Sequence, residues 1–153
     1  MAVIYVTGMS GVGKSTALKE LARRGYRVVD TDDGDWIIDH EEPLLDEDRM
    51  DFLITEYEGS DESLFISGAV INQVDFYDRF DEIVLLSAPI DVMLERIAAR
   101  DDNPFGKAPG ERERIIDDTA YIEPQLREAA TVEIDTRKPL TAVVDQIEAL
   151  ITS

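Results

Sequence analysis

The chain of 153 residues contains no cysteine, which excludes disulfides, thiolate metal sites and cysteine nucleophiles and makes a cytoplasmic location the expectation. It has one histidine and one tryptophan. His40 and Trp36 both fall in or beside an acidic stretch and are read as a loop imidazole and a half-buried indole, without a catalytic role. No apolar run approaches the roughly 20 residues that cross a bilayer, and the first residues read as a strand rather than a basic leader, so a soluble, unprocessed protein is expected. Positive charge is scarce: 15 Lys and Arg stand against 34 Asp and Glu, a net charge of −19. Such a balance argues against nucleic acid as a partner, whose phosphates need Lys and Arg for neutralisation. The length suits one domain over residues 1–153, with a real core and no linker.

The charge is unevenly spread. Residues 30–62 hold 15 acidic residues and a single basic one, Arg49. Residues 96–114 gather five of the 15 basic residues: Arg96, Arg100, Lys107, Arg112 and Arg114. A solvated surface accounts for most of the carboxylates. Positive charge collected in one segment of so acidic a chain points to a requirement for it there.

Against these absences stands one dense motif. Gly8-Met9-Ser10-Gly11-Val12-Gly13-Lys14-Ser15 fits G-x-x-x-x-G-K-[ST] without a mismatch, the pattern of a phosphate-binding loop. The pattern carries chemistry only where a strand feeds it and a helix follows. Ala2-Val3-Ile4-Tyr5-Val6 is an apolar, largely β-branched run suited to a strand buried on both faces. From Thr16 to Arg24 the apolar residues Ala17, Leu18, Leu21 and Ala22 fall on one stripe, and Gly25 follows as a stop signal. The glycines let successive backbone N–H groups turn toward a polyphosphate, and the helix start adds its dipole. The nucleotide-binding residues are therefore Gly8, Ser10, Gly11, Val12, Gly13, Lys14, Ser15 and Thr16. Lys14 is expected on the β- and γ-phosphates and the Ser15 hydroxyl on Mg²⁺.

Further strands are expected at 26–30, 63–67, 82–86 and 131–135. The stretch 43–57 reads as an irregular lead-in and one amphipathic helix, with Met50 and Phe52 in the core alongside Tyr5 and Met93. Pro89 opens a helix to about Arg100 with Val92, Met93, Leu94, Ile97 and Ala98 inward. The breaker-rich 101–110 is a loop or flap. A helix follows over about 111–129, bent or interrupted near Pro124, and Pro139 begins a final amphipathic helix. Strands alternating with helices predict a three-layer α/β/α fold around a five-stranded parallel sheet. The third and fourth strands end in Ser67-Gly68 and Ser87-Ala88, so no Walker B aspartate is evident. The second alone ends in carboxylate, at Asp30-Thr31-Asp32, and no Asn-Lys-x-Asp guanine signature is present.

On Gly8 to Thr16, Asp30-Thr31-Asp32, the arginine-bearing segment 96–114 and the ending Ala130-Thr131-Val132-Glu133-Ile134-Asp135-Thr136, the chain resembles the small P-loop kinases of the shikimate-kinase and adenylate-kinase group over essentially its whole length. The resemblance implies an ATP- and Mg²⁺-dependent phosphotransferase with a LID at about 101–110. It implies that Asp30 acts near the metal and Asp32 near the acceptor hydroxyl, with Arg49 a match for the acceptor-binding arginine. The chain also departs from the shikimate-kinase pattern. The glycine pair after the third strand is Gly68-Ala69, and Ile122 stands where an arginine would hold the substrate carboxylate, which argues against shikimate itself.

Phosphoryl transfer asks for charge neutralisation, in-line positioning and exclusion of water. Lys14, Asp30, Asp32, Arg96 and Arg100 are the catalytic candidates, with Lys107, Arg112 and Arg114 as further arginine or lysine donors to the γ-phosphate when the flap shuts. Either Asp30 or Asp32 orients the acceptor hydroxyl or takes its proton. For Arg96 and Arg100, four apart, surface pairing with Glu95 or Asp101 and Asp102 is the competing reading. The acceptor, facing 15 carboxylates, is read as neutral or cationic: a polyol, a nucleoside or an amino-sugar-like compound. The expected partners are thus a nucleotide and a small-molecule acceptor, with no membrane and no nucleic acid, in a monomer or weak dimer. A nucleoside-monophosphate kinase and an ATP-binding regulatory protein without turnover remain the alternatives.

Overall fold

Val3–Thr7 forms strand β1, buried along its whole length, because neighbours cover both edges and both faces. The computed structural model describes residues 3–9, 12–31, 37–38, 44–58, 62–68, 71–99 and 109–151. After β1 come α1 (Lys14–Arg23), β2 (Arg27–Asp30), β3 (Ile37–Ile38), β4 (Leu44–Leu45), α2 (Glu47–Glu58), β5 (Leu64–Ser67) and a 3₁₀ helix (Ile71–Arg79). Then follow β6 (Glu82–Ser87), α3 (Ile90–Ala99), α4 (Glu111–Ala129), β7 (Val132–Asp135) and α5 (Leu140–Ala149). The main sheet has the order β2-β5-β1-β6-β7, and every pair in it is parallel. The expected five-stranded parallel α/β fold is what the chain forms.

Alternate residues of β1 face opposite sides of the sheet, which separates two cores. Ile4 and Val6 pack with Ala17, Leu18 and Leu21 of α1 and with Val143, Val144 and Ile147 of α5. Val3 and Tyr5 pack instead with Met50, Leu53, Ile54 and Tyr57 of α2 and with Phe76 of the 3₁₀ helix. Helices on both faces make the third layer. Leu94 and Ile97 of α3 join Ile115 of α4 in a smaller cluster.

Several local expectations are corrected. Phe52 is 74% exposed, because the buried stripe of α2 runs through Met50, Leu53, Ile54 and Tyr57 and position 52 lies off it. Ala22 and Ala98 are exposed and Val92 only half-buried, so α1 and α3 bury narrower stripes than expected. α4 runs unbroken through Pro124; the ring removes one internal hydrogen bond, and the buried Ile115 and Leu126 hold the helix on either side of it. Residues 71–79, for which no helix is expected, form the 3₁₀ helix; among its described side chains Gln73 and Phe76, three apart, are buried, matching the three-residue turn. β3 and β4 add a two-stranded antiparallel sheet pairing Ile37 with Leu45 and Ile38 with Leu44. Strands of two residues are too short to show an alternating pattern.

Candidate nucleotide and metal site

The phosphate loop leaves β1 at the centre of the sheet, between β5 and β6. That crowding dictates its first residue. A Cβ on Gly8 would lie 2.5 Å from the Leu86 carbonyl oxygen and 2.8 Å from Val12 Cγ2, closer than side-chain carbons tolerate. Gly13 precedes α1 with φ 99°, a left-handed conformation that costs a residue with Cβ, and it offers no side chain to cap the helix. The first N–H groups of α1 have no partners within the helix, so its start remains available to an anion. Val12 is fully buried and pins the loop to the apolar face of the sheet.

Lys14, at the first position of α1, donates from Nζ to the carbonyls of Gly8 at 2.7 Å and Met9 at 3.3 Å. Its charge thus rests on the loop that it is expected to help fill with phosphate. One residue on, Ser15 Oγ donates to Asp30 Oδ2 at 2.9 Å, so a hydroxyl from the phosphate loop meets the carboxylate at the end of β2. β2 is held in place there by pairing Asp30 with Ser67 of β5, and by the fully buried Thr31, whose N–H and Oγ1 both donate to the Ser67 carbonyl at 3.0 and 2.8 Å. Thr31 is a site-shaping residue that the sequence reading passes over, although its place between two aspartates is a visible signal.

A hydroxyl oxygen beside a carboxylate oxygen is a hard donor set, which fits Mg²⁺ when phosphate and water oxygens complete the shell. Among the described residues no cluster of three or more His, Cys, Asp or Glu assembles as a metal site. Ser15 and Asp30, expected as the metal residues, are therefore brought together.

Arg96, expected over the γ-phosphate, lies between the phosphate loop and the turn after β7. Its guanidinium donates through Nη2 to the Thr136 carbonyl at 2.7 Å and through Nη1 to Thr136 Oγ1 at 2.8 Å and the Val12 carbonyl at 3.4 Å. It therefore ties the phosphate loop to the turn after β7, where Thr136 N–H and Oγ1 also bond the Ser87 carbonyl. Beside that turn, hydrogen bonds from Arg137 hold the Asp135 carboxyl down to about 2. Arg112 and Arg114 are exposed on the first turn of α4, Arg114 lying 3.8 Å from Asp118. Arg49 is exposed in the first turn of α2, where its N–H donates to Asp46 Oδ1. Ser10, Gly11, Asp32, Trp36, His40, Arg100 and Lys107 lie outside the described residues, as does the expected LID apart from Pro109 and Gly110. No described helix is long and apolar enough to cross a membrane.

A family model described as an AAA domain (AAA_18) matches residues 4–117. No curated protein matches the chain. Among solved structures, a shikimate kinase from Acinetobacter baumannii in complex with shikimate is 22% identical with a TM-score of 0.65, over 99% of this chain and 93% of that one. A shikimate kinase from Bacteroides thetaiotaomicron is 16% identical with a TM-score of 0.66, over 99% of both chains. A sugar kinase from a Janibacter species is 18% identical with a TM-score of 0.64, over 99% of this chain and 95% of that one. Identities this low establish the fold, which is that of P-loop kinases.

Proposed function

Because the chain belongs to the AAA domain family AAA_18, whose model spans residues 4–117, we propose that it is a P-loop kinase moving the γ-phosphate of ATP to a small hydroxylated metabolite or nucleoside. The observation that carries this reading is the 2.9 Å bond between Ser15 Oγ and Asp30 Oδ2, at the foot of a complete phosphate loop. A hydroxyl and a carboxylate side by side at the carboxyl ends of the strands, where open α/β sheets bind ligands, support a triphosphate and an acceptor meeting there. Ser15 and Asp30 would hold Mg²⁺, which supplies neutralisation of charge on the transferring phosphoryl group.

Within this reading the loop N–H groups and Lys14 bind the β- and γ-phosphates, and Lys14 gives up its bonds to Gly8 and Met9 to do so. Arg96 braces the loop from Val12 to Thr136 so that the donor stays in register. Asp32 orients the acceptor hydroxyl or takes its proton, and Arg100, with Lys107, approaches the γ-phosphate as the flap excludes water. The acceptor is neutral or cationic, since its side of the site is furnished by a segment with 15 acidic residues and one basic residue. A Debye length of about 8 Å confines that repulsion to the neighbourhood of the site.

The test is ADP release from ATP and Mg²⁺, with no acceptor and with pools of polyols, amino sugars, nucleosides and nucleoside monophosphates. Stimulation by one of the first three pools is expected. Stimulation by monophosphates alone replaces this reading with a nucleoside-monophosphate kinase, and silence across all pools despite nucleotide binding replaces it with a regulatory protein.

A further inference from the structure

Gln73, the third residue of the 3₁₀ helix, has an amide that is 3% exposed. Its Oε1 accepts from the Tyr5 hydroxyl at 2.9 Å, and its Nε2 donates to Thr7 Oγ1 at 3.2 Å and to the Tyr77 hydroxyl at 2.8 Å. Two of these partners, Tyr5 and Thr7, belong to β1 and are completely buried. Thr7 is the residue immediately before Gly8, so the amide grips the root of the phosphate loop.

The other end of the same short segment is fastened to the same strand. Gly68, which follows β5, donates its N–H to the Val6 carbonyl at 3.1 Å. It fits so closely that a Cβ there would meet both Tyr5 Oη and Thr31 Oγ1 at 2.5 Å. Thr31 in turn sits beside Asp30, the carboxylate bonded to Ser15. The chain leaving β5 is thus tied to β1 at Gly68 and at Gln73, and through Thr31 to the metal-side carboxylate. A surface amide would serve a 3₁₀ helix equally well, and burying one is worthwhile only where its hydrogen bonds are met.

We propose that Gln73 is a positioning residue for phosphoryl transfer: its amide sets the register between the phosphate loop, through Thr7, and the chain after β5, whose Gly68 packs against Thr31 beside Asp30. This rests on the kinase reading above. In-line transfer places the reacting atoms about 3–3.5 Å apart, and a displacement of about 1 Å costs about a hundredfold. A group that fixes this register without touching the nucleotide alters turnover and leaves nucleotide affinity alone.

The experiment uses the full chain with ATP, Mg²⁺ and whichever acceptor pool stimulates ADP release. Gln73→Leu and the near-isosteric Thr7→Val are each expected to lower kcat about tenfold while the directly measured Kd for Mg²⁺-ATP stays within about twofold. The double variant should be no slower than the slower single one, since both remove the same bond. Tyr77→Phe removes a second acceptor of Nε2, the Tyr77 hydroxyl, but keeps both bonds to β1; it should lower thermal stability and hold kcat within about twofold. Wild-type kcat in Thr7→Val or in a folded Gln73→Leu overturns the inference, as does a kcat loss in Tyr77→Phe that matches theirs. Absence of transfer to any pool by the wild-type protein overturns the kinase reading, and the inference with it.

Discussion

The two faces of the central sheet are built from different materials. The face under α1 and α5 is closed by aliphatic side chains and Phe65, with Tyr26 meeting the Phe65 ring edge-on at 5.4 Å between centroids. The face under α2 and the 3₁₀ helix is seamed with polar groups. Tyr5, Thr7 and Gln73 are buried there in mutual hydrogen bonds, and Tyr5 stacks on Phe80 at 4.7 Å. Apolar packing is non-directional and tolerates small shifts, whereas a buried hydrogen-bond network allows one arrangement. The first face holds up the phosphate loop through Val12; the second ties the chain after β5 to β1.

The contrast can be broken first at the donor loop. Lys14→Ala should lower turnover about a thousandfold with the melting temperature little changed, because its amine bonds the loop carbonyls rather than the core. Assay of turnover beside a thermal melt separates the two effects, and retained turnover would remove the phosphate loop from the mechanism. On the aliphatic face, Leu21→Ala empties a fully buried position and should cost about 3 kcal/mol by denaturant titration, with turnover per folded molecule preserved.

Tyr5→Phe, on the polar face, should cost about 1–2 kcal/mol, since it strips a hydroxyl from the Gln73 Oε1 acceptor while sparing ring packing. A neutral result would mean that this seam is no more directional than the opposite core. The smallest effect belongs to the outer surface of α1, where hydrogen bonds from Arg23 and then Arg24 hold Glu20 down to about 2 from 4.5. A carboxyl with a lowered native pKa stabilises fully above its unfolded value and loses that contribution as pH falls toward 2. Glu20→Gln should therefore flatten the acid limb of stability between about pH 4.5 and 2 and leave its shape near pH 7 unchanged.

What could be read from the sequence follows the range of the interactions. The strand, loop and helix over residues 3–23 are contiguous, and each piece announces itself locally through β-branching, glycine spacing and a helical stripe. The meeting of Ser15 with Asp30, 15 residues apart, is approached from two sides: the loop motif expects Ser15 on the metal, and the family resemblance implies that Asp30 acts near it. Gln73 has no comparable signal. Its partner Thr7 is 66 residues away, and a glutamine among Asn72, Asp75 and Asp78 reads as surface. Arg96 shows the limit of charge alone: a helical arginine near a phosphate loop is as well suited to backbone carbonyls as to phosphate, and its bonds to Thr136 and Val12 have no signal in the sequence. Phe52 shows the corresponding limit of composition, since an aromatic residue off the buried stripe of α2 has nowhere to go but solvent.

The central place of β1 also has a consequence for how the protein is made. Val3 pairs with Leu64 and Ile4 with Glu82, 61 and 78 residues further along the chain. At about 5–20 residues per second, β1 emerges about 4–16 s before its second neighbour. Until β5 is made it is an apolar segment with two open edges, and until β6 is made it keeps one, the form most inviting to chaperones and to other nascent chains. A nascent chain stalled before β6 would carry every letter of the phosphate loop and still lack the Leu86 wall against which Gly8 folds it.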